Sequence, residues 1–358
     1  MNFERIALSL MGAFTAALLI TASFNPPSNT APPSRANLPR VALQDAEPLA
    51  LPEATLPRTT NAAIDAAPED RAESLKIDAD FELPDFTVAS GATGGTAHAL
   101  STAFGAMGYH FDKVISGGSS VPRLFLAALP EDLAAVPENK KRKALFFSSV
   151  LPLVLQVNEE ILAERKRLWK LRFRVRLGNK PDAVDRLWLE VMSERYRIAQ
   201  HDPVADIDAL IGRVDMIPPS LALAQAAEES GWGTSRYVRE GNAIFGQWTF
   251  SPKNSLVPRK RDAGKKHRVK AFARLIDSVR AYARNLNTHR AYREFRKTRA
   301  VVRRQGGPLD GRMLAGRLTS YSERGPEYVA TLRGLIDTNK LQPLDDARLD
   351  NDTDGPAI

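Results

Sequence analysis

Ala224-Gln225-Ala226-Ala227-Glu228-Glu229-Ser230-Gly231-Trp232-Gly233 is the stretch that most constrains what this chain can fold into. Small residues run into two adjacent carboxylates and stop at a Gly-Trp-Gly turn. Asn242-Ala243-Ile244-Phe245-Gly246-Gln247-Trp248 follows within a short reach of chain. Pro218 and Pro219 open the stretch, and proline fits a first helical turn, where its missing N–H costs nothing. The pattern predicts a helix from about Pro219 to Ser230, capped at its C-terminus by Gly231.

On that helix Glu228 and Glu229 point about 100° apart, so only one of them faces a given cleft. Gln225, one turn before Glu229, and Trp232, three residues after it, share its face. Glu229 sits in the last turn, where the negative end of the helix dipole disfavours an ionised carboxylate. Trp232 and Phe245, if close, desolvate it further. Both effects raise its pKa toward what a general acid needs near neutral pH. A capping or salt-bridged glutamate fits these residues equally well.

The other end of the chain bears on its compartment. Arg5 is followed by an uncharged run from Ile6 to Phe24. A cleaved export signal has an apolar core of about 7–15 residues, whereas a bilayer span needs ~20. The length favours an uncleaved inner-membrane anchor over a cleaved signal, and either form exports the protein, periplasmic and soluble or anchored. The 358 residues carry a net charge of +8 and no cysteine, so disulfides and thiolate zinc sites are excluded. Basic charge favours anionic partners, but export argues against nucleic acid.

Residues 25–120 read as a Pro/Ala/Gly-rich tether, largely disordered, because they cannot bury enough apolar surface to offset the entropy of ordering. Folded sequence is predicted over 121–341, with an acidic, disordered tail over 342–358. Phe146, Val150, Leu153, Val157, Ile161 and Leu168 recur at helical spacing and predict a helix from about Glu138 to Arg174, with a kink at Pro152. Glu159 and Glu160 on it read as ion-paired or solvated. A helix from Pro181 to about Ala199 places Leu187, Val191 and Tyr196 in the core, and a short one covers Asp206–Val214. Ala243–Phe250 and His267–Ala273 read as strands of a β-hairpin with a long charged loop. Helices follow at about 275–288, 292–304, 309–318 and 326–339. The fold class is α+β, mostly helical, with one small β-hairpin lobe.

Trp232, Phe245 and Trp248 offer flat faces to a ligand, with Phe245 read equally as core. Asn242 either holds its loop or binds a substrate amide. The basic run Arg259–Lys270 is a solvated loop or an attractor for anionic groups. The five histidines show no metal spacing, and no P-loop, G-x-S-x-G or G-x-G-x-x-G occurs, so no metal or cofactor is implied.

The central stretch with Asn242-x-x-Phe245-Gly246 resembles the glucosaminidase domain of glycoside hydrolase family 73, and more closely the Bax family of Gram-negative bacteria. Val121-Pro122-Arg123, Leu256-Val257-Pro258-Arg259 and Tyr321-Ser322-Glu323-Arg324-Gly325 with Tyr328-Val329 also carry the resemblance, which spans about Val121 to Lys340. It implies a lysozyme-like fold and hydrolysis of the β-1,4 bond on the reducing side of N-acetylglucosamine in peptidoglycan glycan strands. Glu229 stands at the position of the family's catalytic acid, and Glu228 then reads as structural. Tyr321 matches a tyrosine lining the family's site, with Tyr328 beside it. Asp262, the only acid in the hairpin loop, is nearest the family's second carboxylate. A substrate-assisted route using the sugar's acetamido oxygen needs no second enzyme acid. A lytic transglycosylase, an amidase-type wall enzyme and a non-catalytic wall-binding protein remain as alternatives.

Overall fold

The structure, a computed structural model, describes residues 95–199, 204, 206–259 and 266–350. The expected export segment, the expected tether up to residue 94 and Asp262 lie outside the described residues. Among the described residues the chain is already folded from Ala97, ahead of the expected start at Val121. Thr96 caps helix α1 (Ala97–Ala106) by accepting the Ala99 N–H, and α2 (Phe111–Ile115) follows. Phe104 packs edge-on against Tyr109, and Phe111 stacks on Phe147 at 5.1 Å. The expected tether therefore ends earlier. Its last part looked unstructured because only a few large apolar residues, widely spaced, do the anchoring.

Tyr109 also explains how the longest helix, α3 (Asn139–Arg176), passes through Pro152. Pro152 has no N–H, so the Ser148 carbonyl loses its helical partner. The Tyr109 hydroxyl donates to that carbonyl over 3.1 Å. The six expected core residues of α3 are all buried. By length and composition α3 could cross a membrane, but 83% of its apolar window is buried inside the protein, as befits a core helix.

Helix α4 (Ala183–Arg195) differs from the expectation in phase. Leu187 and Val191 are exposed, at 49% and 44%, while Leu189 and Met192 enter the core with Tyr196. Apolar residues occur around most of this helix, so periodicity alone did not fix which side is inside.

Helix α5 (Ile207–Arg213) leads to α6 (Pro219–Ser230), whose ends fall where the proline and glycine signals put them. Then come α7 (Arg236–Gly241), the strands β1 (Trp248–Thr249), β2 (Ser255–Leu256) and β3 (Arg268–Lys270), and helices α8 (Leu275–Thr288), α9 (Arg293–Arg304), α10 (Gly311–Ala315) and α11 (Pro326–Thr338). The strands form one antiparallel sheet ordered β1–β3–β2, with Trp248 opposite Val269 and Ser255 opposite Lys270. The expected two-strand hairpin is thus a three-strand lobe with short strands. Ala243, Ile244 and Phe245 are all buried, which an alternating strand does not allow.

Buried side chains hold the chain leading into α6. Asn158 of α3 pairs with the Ile217 backbone, donating to its carbonyl at 2.8 Å and accepting its N–H at 3.0 Å. Arg299 of α9 donates to the carbonyls of Arg213, Asp215 and Met216. Burial pushes the Asp215 carboxyl up, but Arg299, Arg303 and Arg165 outweigh it and hold it below the usual carboxylate range.

At the start of α6, Asp345 accepts the Ser220 N–H, the Ser220 hydroxyl and the Gly311 N–H, each at 2.8 Å. A Cβ on Gly311 would sit 2.1 Å from Ser220 Oγ, so only glycine lets α10 approach this closely. Asp345 belongs to a 3-10 turn, Gln342–Asp346, and Leu349 forms a bridge to Val121. The expected disordered tail is therefore ordered through Asp350, and only residues 351–358 lie outside the described residues.

Candidate active site

Helix α6 ends in a turn of unusual handedness. Gly231, Trp232 and Gly233 have φ of 57°, 61° and 77°. The N–H groups of Gly231 and Trp232 both reach the Ala227 carbonyl, closing the helix end. Gly233 has no room for a side chain, since a Cβ would lie 2.6 Å from Leu129 and 2.9 Å from Phe146. Trp232, a bulky residue in a left-handed conformation, is held there by Phe146 and Phe147 of α3 at 6.1 and 5.2 Å, with Lys143 over its ring. The ring thus faces α3 and anchors the turn.

The turn delivers Glu229 to a partly open position lined by aromatic rings. Tyr328 of α11 donates to Glu229 Oε1 over 2.8 Å. Gln225 Nε2 donates to the Tyr328 hydroxyl at 3.0 Å, and the Tyr282 hydroxyl of α8 donates to Gln225 Oε1 at 2.7 Å. Every donor in this relay points toward Glu229. The other Glu229 oxygen accepts no hydrogen bond among the described residues, so it is free to hold a proton. Burial raises the Glu229 carboxyl to about 7; the Tyr328 bond lowers it, nearby Glu228 raises it and Arg324 lowers it. The dominant cause is burial.

Glu228 turns the other way and pairs with Arg324, whose guanidinium lies 5.5 Å from the Tyr328 ring. Tyr321 stacks parallel on Tyr328 at 5.5 Å and tilts against Tyr292 at 5.6 Å. Burial, with the charge of Glu229 next, pushes the phenols of Tyr321 and Tyr328 well above their ordinary value, so both remain donors.

Several sequence candidates take places behind the carboxylate. Gln225 has no exposed surface, and its part is to orient Tyr328. Phe245 is 1% exposed and stacks on Tyr282 at 3.9 Å, which corrects the reading of it as a substrate face. Asn242 adopts a left-handed cap and donates to the carbonyls of Phe272 and Ala273, so it holds the loop. Trp248 stays half-buried on the sheet, stacked on His267 at 4.0 Å. Sequence reasoning missed Tyr282 and Arg324. The signal for Tyr282 was its place on the buried stripe of α8 with Leu275, Val279 and Leu286.

The mostly helical body, the small sheet and the glutamate held by a tyrosine lie in a segment that matches a glucosaminidase model, which makes the chain an endo-β-N-acetylglucosaminidase-like glycoside hydrolase. Residues 209–341 match the glucosaminidase family, described as mannosyl-glycoprotein endo-beta-N-acetylglucosaminidase. The chain belongs to the Bax family: it is 32% identical to Protein bax of Escherichia coli (strain K12) over 216 residues, covering 60% of this chain and 75% of that protein. It is also similar to the catalytic domain of the autolysin Auto from Listeria monocytogenes, at 17% identity, covering 46% of this chain and 89% of that one, with a TM-score of 0.29.

Proposed function

We propose that this protein hydrolyses the β-1,4 bond following N-acetylglucosamine in peptidoglycan, with Glu229 as the general acid. The observation that carries the reading is the Tyr328–Glu229 hydrogen bond on a carboxyl whose pKa burial lifts to about 7. A glycosidic oxygen leaves only if protonated as the bond breaks, and an acid near neutral pKa donates well at neutral pH. The helical body and the sheet then form the two walls of a lysozyme-like cleft, with Trp248 on the sheet side as a platform for a sugar ring. Tyr321 backs Tyr328 in this arrangement.

The second catalytic group is the open half of the mechanism. Asp262 is the candidate from the hairpin loop. A substrate-assisted route, in which the sugar's acetamido oxygen attacks the anomeric carbon, uses Glu229 alone. The N-terminal segment is proposed to carry the chain across the inner membrane, placing the enzyme beside the wall.

Digestion of purified sacculi followed by mass spectrometry tests the reading. New reducing-end N-acetylglucosamine is expected, and Glu229→Gln abolishes its release. Anhydro-muramic ends instead indicate a lytic transglycosylase, and intact sacculi a binding protein.

A further inference from the structure

We propose that the outer face of the α3–α4 hairpin docks on an anionic phospholipid bilayer surface. This goes beyond the hydrolytic reading and is independent of it. Leu162, Trp169, Phe173 and Leu177 follow one another at spacings of seven, four and four residues, so they form one stripe along α3 and its end. Phe173 is 65% and Leu177 64% exposed. Val184, Leu187 and Val191 make a matching exposed stripe on α4. Large apolar side chains gathered on adjoining helices mark an interaction surface rather than scattered surface residues.

The surrounding charge identifies the partner. Between Ile161 and Arg195 the chain carries ten Lys and Arg against five Asp and Glu. Glu164 pairs with Arg195, Asp185 with Arg167 and Arg174, and Arg165 and Arg172 with Asp215 and Asp208, so the cations outside these pairs are Lys166, Lys170, Arg176, Lys180 and Arg186. Lys166 and Lys170 are exposed and lie beside the apolar stripe. Their long stems can lie along apolar surface while the ammonium groups reach outward to phosphates. A bilayer interface takes this combination of Trp, Phe and Leu with flanking lysines. A two-fold dimer through the same face would instead bring these lysine-rich surfaces together, which like charges oppose.

The face sits well away from the turn that carries Glu229. Phe147, which holds Trp232, and Phe173 are 26 residues apart on one helix, or about 39 Å at 1.5 Å per residue. Docking there would hold the lipid surface at one end of α3 and leave the other end with the site.

The test uses the full chain and vesicles whose acyl chains carry bromine, which quenches tryptophan on contact. The Trp169 signal is the difference between the unaltered chain and Trp169→Phe, so lipid binding by the apolar N-terminal segment does not contribute to it. Trp169 is expected to lose at least half its emission on phosphatidylglycerol vesicles and little on phosphatidylcholine vesicles. Lys166→Glu with Lys170→Glu is expected to reduce that quenching several-fold. Equal quenching on both lipids, or no effect of charge reversal, overturns the proposal. If a second copy or another stretch of the chain covers this face, Trp169 stays unquenched and the proposal fails.

Discussion

Tyr328 donates to Glu229 Oε1 over 2.8 Å, and this bond works against the shift that makes Glu229 an acid. Burial lifts the carboxyl, while a donor to the ionised form pulls it down, and the balance is about 7. The same bond fixes which carboxyl oxygen is occupied and which is left for the proton. Burial thus sets the acidity, and the Tyr328 contact sets the orientation while trimming the shift.

Removing only the hydroxyl separates the two effects. Tyr328→Phe keeps the ring against Tyr321 and takes away the donor. With Glu229 as the proposed general acid, which acts in its protonated form, wild-type activity is expected to fall as pH rises through about 7. In the variant that fall moves to higher pH, while the maximal rate drops by roughly 10–100-fold because the acid is no longer held. A pH profile of kcat/KM on solubilised glycan strands reads both. An unmoved alkaline limb would show that Tyr328 does not set the acid.

Gln225 is the next link. Gln225→Leu leaves the buried Tyr282 hydroxyl without its acceptor and removes the donor that positions Tyr328. An unsatisfied buried group costs about 1–3 kcal/mol, so the midpoint of urea unfolding should fall accordingly. Activity should fall together with stability, and the alkaline limb should stay near its wild-type position, since the Tyr328–Glu229 bond itself remains. A variant as stable as wild type would remove the relay from the account.

Tyr109 offers a clean test of the early boundary of the folded region. Tyr109→Phe keeps the contact with Phe104 and leaves the Ser148 carbonyl without its donor opposite Pro152. A loss of about 1 kcal/mol in denaturant unfolding is expected. Deletion up to Ser120 should cost far more, since it also strips Phe111 from Phe147.

What the sequence made legible was local. Pro218 and Pro219 marked the start of α6 and Gly231 its end, because turn chemistry depends on a few neighbouring residues. Helical geometry showed that Glu228 and Glu229 cannot share a cleft, and the family resemblance pointed to Glu229; the pairing of Glu228 with Arg324 fits that separation. The supports were not legible. Tyr282 meets Gln225 across 57 residues of sequence and Asp345 meets Ser220 across 125, and no periodicity encodes such contacts. Phe245 was ambiguous for another reason: an aromatic ring suits a core and a sugar platform equally until its neighbours are known. In α4 the apolar residues were too many to reveal a phase.

Asp345 turns the chain's end into part of the site's support. Asp345→Ala removes the acceptor of three donors at the start of α6 and α10. The expected cost is about 2–4 kcal/mol, from lost capping and unpaired buried donors. Truncation before Pro343 should give the same or a larger loss of thermal stability. If truncation leaves both stability and activity intact, the terminal turn is ornamental and the cap must be supplied elsewhere.

Glu229 should also be a site where activity costs stability, and the sign follows from its pKa. The carboxyl titrates at about 7 when folded against an ordinary 4.5, so folding opposes ionisation. Below pH 4.5 the group is protonated in both states and the fold carries no penalty. As pH rises from about 4.5 to 7 the penalty grows, and above 7 it is complete, at about 3 kcal/mol for a shift of this size. Glu229→Gln removes the charge and keeps an oxygen to accept from Tyr328. The variant is therefore expected to lose glycan cleavage by at least a thousandfold, yet to unfold at higher temperature than wild type at pH 8. At pH 4 the two melting temperatures should converge. Melting curves across that range decide it: a gap that does not widen with pH would show that burial does not hold Glu229 in its acid form.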